Sequence, residues 1–189
     1  MIEQFIQHLQ KYVSLDESDV NLLHQVLVIK HYKKGTLLLP EGQIAKAFYY
    51  NLEGFVRLFY LKDGLEKTAY FYPKGTFISP YESFVRQTPS KLNLQATEQT
   101  SLVEITINAA AQLLQHSQKF DLLARIAMED ELIVHQRIIQ SLLTLSPEER
   151  YANLLEESPQ IFQKVPQHYI ASYIGIKPES LSRIKKRMK

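Results

Sequence analysis

Five of the six glycines in this 189-residue chain fall between residues 35 and 75, at Gly35, Gly42, Gly54, Gly64 and Gly75, spaced 7, 12, 10 and 11 residues apart. Between and after them lie short runs rich in β-branched and aromatic residues, at 36–39, 47–52, 55–61, 67–72, 92–96 and 101–106. Short strands broken by turn signals at that pace predict an all-β sandwich or barrel. Asp63-Gly64 suits a tight hairpin, because glycine accepts positive φ. Pro73-Lys74-Gly75 reads as a further turn.

Both flanks of this segment have helical periodicity. Ile2, Phe5, Ile6 and Leu9 recur at helical spacing, and a second helix is predicted after Ser14 or Asp16, with Asp16, Glu17 and Asp19 favoured by the dipole of its first turn. After the β segment, Asn108 is the predicted N-cap of a short helix over 109–114. A longer helix is predicted from Ser117 to Leu143, with Pro147 ending it. Its Ala127, Glu131, Val134, Ile138, Ser141 and Leu145 step by 4, 3, 4, 3 and 4, a heptad-like seam interrupted by Glu131 and Ser141. Ile126, Ile133, Ile139 and Leu142 lie off that seam. So wide an apolar girth predicts two partners, the β domain on one side and a second helix, in a dimer, on the other.

Composition narrows the function classes. The chain is 45% hydrophobic and 22% charged, ordinary globular usage. It contains no cysteine, which excludes disulfides, cysteine-ligated iron–sulfur or zinc sites and a cysteine nucleophile. His8, His24, His31, His116, His135 and His168 form no ligand-spaced cluster, so no metal site is predicted. The N-terminus has an early acid and no apolar run, unlike a secretory signal, and no stretch is long and apolar enough for a membrane span. A cytoplasmic protein without membrane attachment is the expectation.

Charge is unevenly placed. Residues 164–189 carry seven cations (Lys164, Lys177, Arg183, Lys185, Lys186, Arg187, Lys189) against Glu179, a net +6, while the rest carries 15 cations and 19 acids, a net −4. That split predicts a polyanion contact confined to the C-terminus. Within this segment a helix over 167–173, with Ile170 and Ile174 facing inward and small Ala171 permitting close approach, ends at Gly175. Pro178 then opens a second helix at a favoured first-turn position. Helix, short glycine-containing turn and helix make the helix-turn-helix pattern. The second helix puts Leu181, Ile184 and Met188 on one face. Glu179, Arg183 and Lys186 lie on another, flanked by Ser180 and Arg187. An arginine there can bind guanine O6 and N7, a carboxylate can accept from cytosine N4, and Lys185, Lys186, Arg187 and Lys189 can neutralise phosphates. Ser146, with Glu149 three residues on, predicts a capping box ahead of this module.

Five stretches, KKGTLLLPEGQ (33–43), GFVRLFY (54–60), DGLEKTAYFYPKGTFI (63–78), SPEERYANLL (146–155) and IASYIGIKPESLSR (170–183), resemble the Crp/Fnr family of bacterial transcription regulators. The last is the most specific, matching IAxxxGxxxExxSR. The resemblance implies an α+β chain: a jelly-roll β-barrel like that of cyclic-nucleotide-binding domains with its helical lead over 1–115, a long dimerisation helix over 116–144, and a winged helix-turn-helix over 145–189. It implies double-stranded DNA, a second copy and RNA polymerase as partners, with DNA contacts at Gln167, His168, Lys177, Glu179, Ser180, Arg183, Lys186 and Arg187. Pro178 stands where many members carry another contact residue, so the operator is expected to differ.

The nucleotide pocket departs from the pattern. Members that bind cyclic AMP carry Gly-Glu early in the phosphate segment and Arg-Ser later. Here the first element reads Ile78-Ser79-Pro80-Tyr81-Glu82 and the second Thr88-Pro89-Ser90-Lys91-Leu92. The arginine that would pair with the cyclic phosphate is missing, and Lys91 is expected to project from the other face of a strand. The sequence therefore argues against cyclic AMP and leaves the effector unknown, with Ser79, Tyr81, Glu82, Arg86, Ser90 and Lys91 as candidate pocket residues. The aromatics of the roll are read chiefly as core. Absent cysteines also rule out the iron–sulfur branch.

Two alternatives stay open. One is a small-molecule sensor with a degenerate DNA module that acts through protein partners. The other is a cupin-like enzyme, against which stands the want of clustered metal ligands or any P-loop, G-x-G-x-x-G, H-E-x-x-H or G-x-S-x-G motif. The expectation is a regulator, not an enzyme.

Overall fold

The computed structural model describes residues 1–187; Met188 and Lys189, assigned above to the apolar stripe and the phosphate contacts, lie outside the described residues. In chain order the elements are α1 (Ile2–Leu9), α2 (Glu17–Val26), β1 (Val28–Tyr32), β2 (Leu37–Leu39), β3 (Ala47–Glu53), β4 (Val56–Lys62), β5 (Leu65–Tyr72), β6 (Phe77–Ile78), α3 (Tyr81–Arg86), β7 (Asn93–Ala96), β8 (Thr100–Thr106), α4 (Ile107–His116), α5 (Gln118–Thr144), α6 (Pro147–Glu157), α7 (Ile161–Lys164), α8 (Gln167–Ile174) and α9 (Pro178–Arg187).

The eight strands form two four-stranded antiparallel sheets, in the orders β1-β8-β3-β6 and β2-β7-β4-β5, the β sandwich expected from the glycine spacing and the jelly roll that the family resemblance implied. Asp63 and Gly64 turn the β4–β5 hairpin with φ of 52° and 74°. Sheets alternate their side chains between faces, and here each face has its own apolar layer. Leu39, Tyr49, Val56, Leu58, Tyr72, Ile78, Leu94 and Leu102 fill the space between the sheets. The outer face of the first sheet, through Tyr50, Leu52, Val103 and Ile105, packs on Phe5, Leu9, Leu23, Leu113, Phe120 and Leu123 of the surrounding helices. The outer face of the second sheet contributes Phe55 and Phe71 to the core of the C-terminal helices.

Helix boundaries follow local capping chemistry. Asp16 and Asp19 form a reciprocal capping box at α2. Lys119, at the start of α5, donates to both carboxylates and so fastens α5 to the helical lead. Its hydrogen bond is the main reason the Asp16 carboxyl is held down at about 2. The N-cap of α4 is Thr106, whose side chain accepts from the Ala109 N–H, not Asn108. A threonine leaving a strand already has the extended backbone an N-cap requires, which displaces the cap from Asn108. Ser117 caps α5, and Ser146 with Glu149 makes the predicted capping box of α6.

One expectation is revised, and packing decides a second point. Among the described residues, 145–187 are helices and turns, so no β-wing accompanies the helix-turn-helix; the short α7 occupies the stretch after Pro159. The heptad seam of Ala127, Glu131, Val134, Ile138, Ser141 and Leu145 is half-buried against the chain's own roll and C-terminal module. Off that seam, Leu132, Ile139 and Leu142 are left free at 59%, 58% and 54% exposure. Two adjacent stripes each step by 4 and 3, and only the packing decides which faces inward. No helix among the described residues is long and apolar enough to cross a membrane.

Candidate nucleic-acid interface

The C-terminal helices assemble around Ile161, Ile170, Ala171, Ile174, Leu181 and Ile184, each 3% exposed or less. Ala171 lets α8 and α9 approach closely, and Gly175 turns the chain between them at φ 83°. There the Ile176 N–H donates to the Ala171 carbonyl and the Gly175 N–H to that of Ser172, closing α8 as a left-handed glycine cap does. A residue the sequence reading passed over completes the end of the helix: Arg150 of α6 donates from Nε to the Ile174 carbonyl (2.8 Å) and from Nη1 to that of Leu145 (2.6 Å). One guanidinium thus ties the end of the long helix to the turn of the module. Arginine is well suited to this, since its planar fork satisfies two carbonyls at once.

With Leu181 and Ile184 buried, α9 presents its opposite face to solvent. Glu179, Arg183, Lys186 and Arg187 are exposed there and Ser180 is half-buried. Arg183 Nη2 donates to Ser180 Oγ at 3.1 Å, which steadies the guanidinium at the centre of the face. Lys177 is exposed just ahead of the helix. Gln167 and His168 are exposed at the start of α8, where Gln167 Oε1 accepts from Lys185 Nζ (2.9 Å) and its amide donates to the Phe162 carbonyl (3.4 Å). Arg187 donates to Glu148 of α6 at 2.7 Å; both side chains are exposed, so this pair is weak and open to exchange for a phosphate. The eight residues singled out for DNA therefore lie on α8, α9 and the turn between them.

The same module is clasped to the roll. Arg57 of β4 is fully buried, with its guanidinium 3.4 Å from the Tyr169 ring centre of α8 and 3.9 Å from that of Phe59. It donates to Gln95 from Nε and Nη2 (2.9 and 2.7 Å) and pairs with Glu66 of β5. Alongside, the Thr68 N–H donates to Ser172 Oγ (2.9 Å), which itself donates to the Glu66 carbonyl (3.0 Å). Phe71 packs on Tyr173 with ring centres 5.5 Å apart, and Lys164 pairs with Glu98 at 3.3 Å. The apolar and polar contacts together fix the module against β5.

The six candidate pocket residues are not brought together. Ser79 and Tyr81 line an apolar cavity outside the roll. Glu82 and Lys91 meet weakly on the surface at 3.9 Å, and Arg86 is exposed. Ser90 is buried with its hydroxyl donating to the Leu92 carbonyl. Lys91 lies in a bend before β7, not on a strand. Among the described residues, Arg57 is the buried arginine of the roll, and it points to the outer face. Tyr72 of β5 donates to Oε1 of Glu131 on α5 at 3.3 Å, and burial pushes the Glu131 carboxyl up to about 7.

Comparison with known proteins agrees with this architecture. Residues 29–117 match the family described as cyclic nucleotide-binding domain. The structure is similar to CLP of Xanthomonas campestris, a c-di-GMP-responsive global regulator (19% identity, 92% of this chain and 91% of that one, TM-score 0.71). It is similar also to FixK2 of Bradyrhizobium japonicum (18% identity, 86% and 84% covered, TM-score 0.73). A third is a protein of Eubacterium rectale assigned to the crp/fnr family of transcriptional regulators (19% identity, 92% and 83% covered, TM-score 0.72). No curated protein matches the chain. Residues 29–117 thus resemble a cyclic nucleotide-binding domain, and the chain as a whole has the fold seen in the Crp/Fnr regulators.

Proposed function

We propose that the protein is a dimeric, sequence-specific DNA-binding transcription regulator of the Crp/Fnr type that works without cyclic AMP. The observation that carries the reading is the exposed face of α9, where Arg183, braced by Ser180, stands between Glu179 and Lys186 on a helix anchored from behind by Leu181 and Ile184. A helix so presented fits a major groove: the arginine is placed for a guanine edge and the carboxylate for a cytosine amine, while Lys177, Lys186 and Arg187 meet phosphates. RNA polymerase and a small-molecule effector are the further partners of this reading.

The free stripe on α5 supports the dimer. Leu132, Ile139 and Leu142 recur at heptad spacing and lie exposed in the single chain. Buried against a second copy they form a two-helix seam. The two recognition helices then read half-sites one turn of DNA apart, about 34 Å. Absence of a cyclic nucleotide rests on the roll itself. Its inner layer is filled by Tyr49, Tyr72, Ile78, Leu94 and Leu102, and the segments around Ser79 and Ser90 bring no guanidinium inward. A cyclic phosphate without a cationic partner would be buried at a large desolvation cost.

Replacing Arg183 with alanine tests the assignment. Discrimination between the preferred site and a variant at the contacted base pair falls by about 1–3 kcal/mol. Binding to unrelated DNA weakens little, because the lysines supply most of that term. Competition binding on the two duplexes at fixed salt measures it. An Arg183→Ala protein with undiminished site preference would refute the assignment.

A further inference from the structure

Outside the roll, the outer face of the β1-β8-β3-β6 sheet and helices α1, α2, α3, α4 and α5 line an open-mouthed cavity of about 300 Å³ that the DNA reading does not use. Its base is formed by Phe5, Leu23, Phe120 and Leu123, each buried, and its mouth by Val85 and Leu114, which are 56% and 42% exposed. A smaller cavity of about 180 Å³ adjoins it, sharing the walls Phe77, Ala127 and Glu131. That second space has the greater share of polar groups on a lining that is still mostly apolar: His8 and Tyr12 from the helical lead, Tyr70 and Tyr72 from β5, and Asp130, Glu131 and His135 from α5 all line it.

We propose that the two adjoining cavities take one uncharged amphipathic molecule, its aliphatic or aromatic body in the larger and a neutral hydroxyl, carbonyl or amide head beside Glu131 in the smaller. This deepens the regulator reading and rests on it for the consequence of binding, though not for binding itself. The larger space is at the small end of ligand pockets and has the nearly all-apolar lining typical of them. Charge decides the head. The Asp130 carboxylate repels an anion. Glu131 already has a neutral donor in Tyr72, and burial favours its uncharged form, so a hydroxyl or carbonyl meets groups that both donate and accept. Burial likewise lowers His8 and His135, favouring neutral imidazoles, although Lys11 adds to the shift at His8 and Asp130 opposes it. An apolar body gains the transfer of its surface out of water against the aromatic base.

Phe120, Leu123, Ala127 and Glu131 all belong to α5, so whatever fills the cavities touches the helix that carries the free heptad stripe. A ligand that prefers one placement of α5 shifts the population of that placement, and with it the spacing of the recognition helices.

The test uses the full chain and the uncharged fluorophore N-phenyl-1-naphthylamine; the protein contains no tryptophan, which keeps its own emission low. Saturable binding of one probe per chain is expected, displaced by decan-1-ol at a concentration at least ~10-fold below that needed with decanoate. Ala110→Phe, which fills the larger cavity, and Val85→Trp, which blocks its mouth from an exposed position, each weaken the probe by at least ~10-fold. Far-ultraviolet circular dichroism verifies that both variants fold, and Val85→Trp stands alone if the first does not. Three results overturn the proposal: no saturable binding by the folded wild-type chain, unchanged affinity in the folded variants, or probe binding lost as the chain dimerises, which assigns the space to the second copy. None of these readouts involves DNA. Probe binding with no DNA selection, whether or not the cavities are occupied, would remove the regulator reading and leave the site, and the reverse result would remove the site alone.

Discussion

Replacing Arg57 with alanine is expected to destabilise the protein by about 3 kcal/mol and to loosen the C-terminal module from the roll. The guanidinium is fully buried between Tyr169 and Phe59, and a desolvated cation over an aromatic face contributes up to about 2 kcal/mol. Its two hydrogen bonds to Gln95 and the bond to Thr68 add to this, at about 1.5–3 kcal/mol for a bond to a charged group. Glu66 is 42% exposed and rehydrates when its partner leaves, which keeps the loss below that of a pair buried on both sides. Lysine at this position does not restore the clasp, because an ammonium offers neither the stacking plane nor the fork. Chemical denaturation gives the stability change. Amide exchange gives its location, with protection lost first along β5 and α8, where the Thr68 N–H is held by Ser172. A loss under about 0.5 kcal/mol, the usual range for surface changes, would contradict the clasp.

The second large effect concerns pH. In the folded chain the Glu131 carboxyl is raised from 4.5 to about 7 by burial, with the Tyr72 hydroxyl opposing the rise. The native state therefore holds a proton that the unfolded chain has released, and stability falls as pH rises from 4.5 through 7. Glu131 is partly exposed, so solvent screening reduces the full linkage value to about 2 kcal/mol. Glu131→Gln keeps the acceptor for Tyr72 and removes the titration. It is expected to be more stable than the wild type by about 2 kcal/mol at pH 8, with the difference vanishing below the unfolded-state value. His8 and His135 act in the opposite sense: burial lowers them, so their contribution is present above 6.5 and is lost as pH falls. Taking the difference between variant and wild type at each pH cancels them. Denaturation midpoints across pH 4–9 check the prediction, and a pH-independent difference would overturn it.

How far the sequence could be read depended on how local each cause was. The six predicted strands reappear within two residues of their expected ends, because glycine and proline punctuation is written along the chain. The helix-turn-helix was legible for the same reason: Ala171, Gly175 and Pro178 act within one turn of where they stand. β1 was missed because it is an edge strand with no clean alternation, and its order comes from pairing with the distant β8, Val28 with Glu104 through Tyr32 with Thr100. β6 is two residues long and α3 only six, too short to show a period. On α5 the sequence left open which stripe meets the roll, because adjacent stripes share a spacing; the packing half-buries the seam and leaves Ile139 and Leu142 exposed. Arg57 gave no signal at all. A single charge in an apolar run reads as solvent-facing, and its ring partner Tyr169 is on another domain. Of the candidate contacts, those on α9 followed from amphipathicity, whereas Arg150 acts through two backbone carbonyls that no composition reveals.

The central claim, a DNA-reading dimer, is tested most directly by selecting duplexes from a random pool with the purified protein and no added ligand. An enriched palindrome with half-sites one helical turn apart is predicted, bound by a complex of two chains whose affinity falls steeply with salt. A pool that stays unenriched, or an enriched site that is asymmetric and bound by one chain, would contradict it.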